Sequence, residues 1–460
     1  MKIVVLNGSP KGNVSVTMQY VQYIQKIYPN HDLRILNISQ QISGIEKGGL
    51  KFDEIIAEVR SAEGILWAFP LYFFLVPSQY KRFIELVFEK GALDAFRDKY
   101  AAVLTTSIHF FDHTAHNYMH AVSDDLGMRF AGSFSAEMDD LLDADKRRML
   151  ELFAGNFFNA IEKKQPVVPS YAPLKVRDFR YDPGNAITQC NLENRKMLLL
   201  TDYTDASSNL ARMITRFKQS ISGEVHEVNL RDLDMKGGCL GCIQCSFDNK
   251  CTYDGKDGYR EFYDTYMRSA DIIVMALTVV DRYFSSVFKR FLDRSFFNNH
   301  IPILIGKQFG YIISGPYSQI SDLRDMFKMS VEFSRSNISG TVTDEFGDSA
   351  MIDSLLTDLA GRLVRDSLNG YTPPPTYLSV GGAKIFRDEI YGKMRSVFQA
   401  DHEYYLKHRL YNFPQKNYKI RMLNAVLFPL LGITFIRKEF KKKINEGMIR
   451  PYQKVLKGLR

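Results

Sequence analysis

Cysteine is scarce in this chain: five residues in 460, none between Met1 and Thr188, and four crowded between Cys239 and Cys251. A secreted disulfide framework would scatter an even number along the chain, so cross-links are not expected to hold this fold. Long apolar runs are also missing. The apolar stretch Met422 to Ile436 is 15 residues and is interrupted by Pro429 and Gly432. As a helix it would span about 22 Å, short of the roughly 30 Å hydrocarbon core, which argues against a membrane-spanning helix. No signal-peptide pattern opens the chain, since Met1-Lys2 runs into an apolar strand, and a cytoplasmic location is the default expectation. The loop after that strand has neither the G-x-x-x-x-G-K-[ST] of a nucleoside triphosphatase nor the G-x-G-x-x-G dinucleotide fingerprint.

What is present is globular. Apolar residues make up 45% and charged residues 24%, which excludes collagen-like and wholly disordered chains. The net charge of +8 is local: residues 407 to 460 carry 14 basic and 2 acidic side chains, leaving the rest of the chain slightly acidic. The main body is therefore not a nucleic-acid binder by charge, and the basic end calls for a partner of its own.

Short apolar strands alternate with helical patterns of 10 to 15 residues, first over Lys2 to Ile161 and again over Lys196 to Val364. That rhythm predicts α/β architecture with parallel sheets covered on both faces. The repeat recurs after about 190 residues, too long for a solenoid, so one domain type is expected twice. We expect residues 1–164 as a first doubly wound five-stranded domain, 165–195 as a Pro-rich linker, 196–370 as a second such domain, and 371–460 as a basic, mostly helical extension. The extension has two readings: Arg421, Arg437, Lys438, Lys441, Lys442 and Lys443 around the apolar stretch suit peripheral contact with a membrane surface, or its apolar side packs on the sheets or on the partner in a homodimer.

Two loops of the first half carry binding chemistry. Asn7-Gly8-Ser9-Pro10-Lys11-Gly12-Asn13-Val14-Ser15-Val16-Thr17 joins the first strand to a helix start. It offers hydroxyls, backbone N–H groups and a helix N-terminus to a phosphate. The third strand ends in Pro70-Leu71-Tyr72-Phe73-Phe74, whose apolar faces and backbone N–H groups suit a flat ring.

With Ser78-Gln79-Tyr80-Lys81-Arg82-Phe83 following, these loops resemble those of the flavodoxin-like NAD(P)H-dependent FMN reductases. Gly8-Ser9-Pro10-Lys11 and Pro70-Leu71-Tyr72 match that family's two loop motifs. The resemblance implies flavodoxin-like folds and FMN held by Ser9, Lys11, Gly12, Asn13, Ser15, Val16, Thr17, Pro70, Leu71, Tyr72, Phe73, Thr106 and Ser107. In the second half it implies Ser207, Ser208, Asn209 and Leu210. Two departures mark that second site: Asp202 and Asp205 bring negative charge to the phosphate position, and Val279 stands where proline is expected.

Cys239-x2-Cys242-x2-Cys245-x5-Cys251, with Gly237, Gly238 and Gly241, can wrap a metal cluster from one loop. Zinc and free redox-active thiols are the alternatives. The spacing is similar to that of iron-sulfur flavoproteins, implying a [4Fe-4S] cluster. Two domain copies pair in that family, so the tandem chain is expected to mimic the pair, with FMN in the first half and the cluster in the second. His109, His113, His116 and His120 follow the fourth strand; His113, His116 and His120 would share a helix face, and His109 and His113 are candidate proton donors.

The functional expectation is an FMN-dependent oxidoreductase passing electrons from NAD(P)H or a ferredoxin-like donor to a small-molecule acceptor. The alternatives are a cluster-free quinone or nitro-compound reductase, and a non-catalytic scaffold or membrane-surface protein.

Overall fold

The computed structural model describes residues 1–185 and 189–458, so the 186–188 part of the expected linker lies outside the described residues. The chain divides into two compact units, Met1–His402 and Glu403–Arg460. The first unit holds two α/β layers of flavodoxin-like fold.

The first sheet is built from β1 (Lys2–Asn7), β2 (Asp32–Asn37), β3 (Gly64–Pro70), β4 (Tyr100–Thr106) and β5 (Arg129–Ala136), in the order β2-β1-β3-β4-β5 with every pair parallel. Ile3, Val4, Val5 and Leu6 are all fully buried, as a strand covered on both faces requires. Helices α1 (Val16–Ile27), α2 (Ile38–Lys47), α3 (Gly49–Ser61), α4 (Ser78–Glu89), α5 (Asp112–Asp125) and α6 (Ala144–Glu162) connect and cover the strands. Helix α2 carries Ile38, Ile42 and Ile45 at i, i+4 and i+7, one apolar stripe among six polar residues.

The second sheet uses β6 (Met197–Thr201), β7 (Val225–Asn229), β8 (Ile272–Val280), β9 (Gln308–Ser314) and β10 (Asn337–Thr343) in the order β7-β6-β8-β9-β10, the same topology. It differs from the five-stranded expectation by one short strand, Tyr283–Phe284, which folds back antiparallel on the end of β8. Its helices are α7 (Asn209–Gln219), α8 (Ser286–Arg294), α9 (Ser321–Phe333) and α10 (Ser349–Leu368), followed by α11 (Tyr377–Tyr391). Between β7 and β8, one α turn, Tyr259–Phe262, is continued by a π turn, Tyr263–Met267.

The two layers meet through α4 and α8, and the contact is reciprocal. Lys81 and Glu85 lie one turn apart on α4, as Lys289 and Asp293 do on α8, and all four side chains are buried. Glu85 Oε1 and Oε2 accept the Ser286 backbone N–H at 2.5 Å and its hydroxyl at 2.6 Å, at the start of α8. Asp293 Oδ2 accepts the Ser78 N–H at 2.7 Å, at the start of α4. Each carboxylate thus sits on the positive end of the other half's helix. Each lysine crosses as well: Lys81 Nζ donates to Val280 O at 3.1 Å and Lys289 Nζ to Tyr72 O at 2.8 Å. Burial opposes ionisation of Glu85, yet Lys81 and Ser286 hold it below the ordinary carboxylate range.

Removing one member strands the other in a dry interior. Lys289→Met is expected to lower stability by about 3 kcal/mol, read from the urea midpoint. Arg97→Ala, which breaks an exposed pair with Asp94, should cost no more than about 0.5 kcal/mol.

Candidate functional site

At the carboxyl edge of β1 the chain turns tightly. Asn7 is buried; its Nδ2 donates to Asn37 Oδ1 at 2.8 Å and its Oδ1 accepts the Ser9 N–H at 2.9 Å. Ser9 Oγ then accepts the Lys11 N–H at 3.3 Å, and Gly12 N donates to Ser9 O at 3.0 Å. Only glycine fits at position 8: a Cβ there would lie 2.7 Å from Phe69 Cβ. Ser15 caps α1 by accepting the Met18 N–H at 3.3 Å. The other first-turn N–H groups of α1 are left for an anion. Thr17 and Thr106 join hydroxyls at 2.6 Å, tying this helix start to the end of β4.

The loop after β3 is a two-residue hairpin turn. Tyr72 N donates to Leu75 O at 2.9 Å and Leu75 N returns to Tyr72 O at 3.0 Å. Phe73 (φ 41°) and Phe74 (φ 67°) between them both occupy the left-handed region, where bulky residues are strained unless the surroundings impose it. Leu71 N is fixed on Thr106 O at 3.1 Å. The second half repeats this turn, with Val280 paired to Tyr283 around Asp281 (φ 47°) and Arg282 (φ 62°). Strand pairing corrects one expectation: Pro70 lies opposite Thr106 and Thr278 opposite Ser314, so Thr278 rather than Val279 occupies the proline position.

The cysteine loop of the second half lies directly on these first-half loops. Gln79 Nε2 donates to Cys239 O at 3.1 Å. Gly241 (φ +62°) presses on the Tyr72 hydroxyl so closely that no Cβ could be added, and the Lys11 side chain also borders it, with Cε 3.3 Å from that Cβ position. Gly238 is packed in the same way on the Ser78 hydroxyl. Cys239, Cys242, Cys245 and Cys251 line one cavity, walled by Phe296 and Phe297. Among the described residues, no group of three or more His, Cys, Asp or Glu side chains is gathered at metal-ligating distance. Burial pushes the Cys239 and Cys245 thiols up to about 12, which keeps them protonated.

The histidines diverge. His109 (φ 60°) places Nδ1 2.9 Å from Asp112 Oδ2, which also accepts the Ser135 hydroxyl at 2.6 Å. His116 Nε2 lies 2.7 Å from Thr105 Oγ1, and burial lowers its pKa. His120 stacks on Phe130 at 3.9 Å, and His113 tilts against Phe111. His113, His116 and His120 do share α5, but their ring partners point to different neighbours rather than to one centre. The sequence reading gave no site role to Gln79 or Lys289, because their importance comes from the other half of the chain.

In the second half, the residues expected to bind FMN already have partners. Ser207 donates its N–H and its hydroxyl to Asp205, each at 2.7 Å. Ser208 caps α7, and Leu210 is buried in the core. Asn209 is held from both ends, its Oδ1 accepting Tyr181 N at 2.9 Å and its Nδ2 donating to Phe179 O at 2.8 Å and Asp344 Oδ2 at 2.9 Å. Asp202 is buried and takes the Ser285 hydroxyl on Oδ2, while its Oδ1 has no hydrogen-bond partner among the described residues. Burial pushes its carboxyl up to about 6.

A family model described as flavodoxin-like fold matches residues 1–152. No curated protein matches the chain in sequence. Similar solved structures include the NAD(P)H:acceptor oxidoreductase FerB from Paracoccus denitrificans, 17% identical, covering 35% of this chain and 97% of that one at TM-score 0.29. A general stress protein 14 from Treponema denticola in complex with FMN is 11% identical over 36% of this chain and 99% of that one, at TM-score 0.27. An FMN-dependent NADH-azoreductase from Bacillus anthracis is 17% identical over 36% of this chain and all of that one (100%), at TM-score 0.24.

Because the folded chain holds the Asp202 proton more tightly than the unfolded chain does, wild-type stability falls as pH rises from about 4 to about 6, and the deficit is complete above that. Asp202→Asn is expected to gain about 2 kcal/mol at pH 7 and almost nothing at pH 4. Urea denaturation at the two pH values checks both the size and the sign.

Proposed function

We propose that the chain is an FMN-dependent oxidoreductase whose first half holds FMN and passes electrons from NAD(P)H or a ferredoxin-like donor to a small acceptor. One observation carries this reading. The Ser9–Thr17 loop and the left-handed Tyr72–Leu75 turn come together at the carboxyl edge of β1 and β3, the binding edge of a doubly wound sheet. Ser9, Ser15, Thr17 and the start of α1 suit the phosphate. The Leu71–Phe74 backbone and Thr106 suit the ring. Bound FMN supplies the redox chemistry. Around it, Asp112 orients His109 through Nδ1, and Nε2, which lies 3.9 Å from Glu137 Oε1, is the nitrogen proposed to give or take a proton.

The finer part of the proposal is a [4Fe-4S] cluster on Cys239, Cys242, Cys245 and Cys251. It is supported by the soft four-thiol donor set lining one cavity and by the contact of that loop with Tyr72. A group held there would adjoin a flavin held by the first half. The absence of three gathered ligands among the described residues favours the second reading, a cluster-free quinone or nitro-compound reductase in which burial keeps the Cys239 and Cys245 thiols protonated. Two domains arisen by duplication, dividing the cofactors between them, would account for the shared strand order and the repeated turn.

The test is anaerobic purification followed by absorption, iron, sulfide and FMN analysis. Flavin with about four irons per chain supports the cluster, and Cys242→Ala should then lose that iron. Flavin without iron leaves the second reading. Neither flavin nor iron overturns the proposal.

The halves are separated by two matched substitutions. Ser15→Asp keeps an N-cap residue but sets a carboxylate beside the phosphate position. It should weaken FMN binding at least about tenfold, by fluorescence titration of the apoprotein, with an unchanged melting temperature. Ser208→Asp should leave FMN affinity as it was.

A further inference from the structure

The basic excess of the chain resides in its second compact unit, and that unit displays apolar side chains that nothing among its described residues covers. Helix α12 (Gln399–Lys407) leads into α13 (Tyr418–Leu430) and α14 (Thr434–Leu456), with a break at Leu431–Ile433. Helix α13 has no buried residue: Tyr418 and Met422 are each 71% exposed and Phe428 is 85% exposed. On α14, Phe440, Ile444, Met448 and Tyr452 are all exposed and recur every fourth residue, which strings them along one side of the helix. Lys441, Lys442 and Lys443 fill the positions between the first two of them. Among the described residues, no helix is long and apolar enough to cross a membrane.

An exposed apolar surface of this kind marks an interaction site, and its charge selects the partner. We propose that α13 and α14 lie in the headgroup region of a bilayer containing anionic lipid. Their aromatic and aliphatic side chains enter the acyl boundary, and the lysines meet the lipid phosphates. A second copy is a poor occupant, because residues 407 to 460 carry 14 basic and 2 acidic side chains and would repel themselves. A nucleic-acid backbone would use the charge but leave the exposed Phe428, Ile444 and Met448 without a role. The break at Gly432 lets two helices of unequal length settle independently in the surface plane. The inference stands apart from the flavin reading, because the unit contains none of the proposed cofactor residues.

Co-sedimentation of the full-length chain with phosphatidylcholine vesicles, with and without phosphatidylglycerol, tests it. Binding is expected to be at least about tenfold stronger with the anionic lipid and to fall in high salt. Phe428→Ser together with Met448→Ser, both at exposed positions, should abolish most of the binding with no change in far-ultraviolet circular dichroism. Replacing Lys441, Lys442 and Lys443 by Glu should remove the preference for anionic lipid. Four results would overturn the proposal: equal binding to both vesicle types, binding that survives the serine variant, apolar contact expressed as self-association in light scattering without sedimentation, or tighter binding to single-stranded nucleic acid that the serine variant retains.

Discussion

Four buried ionisable side chains hold the two α/β layers in register, and the meeting of the cysteine loop with the first-half loops depends on them. A lysine and a carboxylate one turn apart on a single helix could satisfy each other alone, yet here each member also reaches across. Each carboxylate takes the first N–H of the opposite helix, and each lysine takes a carbonyl from the opposite turn. Ion pairs taken out of water are costly to bury and contribute little net stability unless every remaining hydrogen bond is made. Their value here is geometric, because the directional bonds leave one docking position for α8 against α4. Apolar packing alone would tolerate sliding.

That docking position brings the cysteine loop onto Tyr72 and Lys11. Lys289 ends on the Tyr72 carbonyl, so the same residue that locks the interface also braces the turn carrying Phe73 and Phe74. The strained left-handed backbone of that turn persists because it is held on three sides: by Lys289, by the Leu75 bridge and by Thr106. The cysteine loop makes room for the same turn by being glycine at 238 and 241.

Much of this was legible in the sequence, and the reasons are specific. Strands such as Ile3–Leu6 are buried on both faces and so read as unbroken apolar runs, which made the two sheets and their parallel order recoverable. The loops at β1 and β3 were legible because backbone chemistry constrains them: glycine at 8, a capping serine at 15, proline at 70. The reciprocal interface was not, because Lys81 and Lys289 on amphipathic helices look like surface residues until a partner removes them from water. The histidines were legible only in part, for a related reason. Spacing places His113, His116 and His120 on a helix face, but Thr105 and Phe130 lie on β4 and β5, and those neighbours decide where the rings of His116 and His120 point.

The two halves share one architecture and have spent it differently. At the same turn positions the first half carries Phe73 and Phe74 and the second carries Asp281 and Arg282. Asp281 faces Lys81, and Arg282 grips Asp125 with both ends of its guanidinium while reaching the Ala172 carbonyl. In the second phosphate loop, Asn209 serves the backbone at Phe179 and Tyr181, and Asp202 occupies the place of Gly8. Residues that could face a ligand in the second half are therefore engaged with the linker and with the first half. Because those bonds run from Asp281 to α4 and from Arg282 to α5 and the linker, the second turn fastens the two layers together where the first turn carries two aromatic side chains.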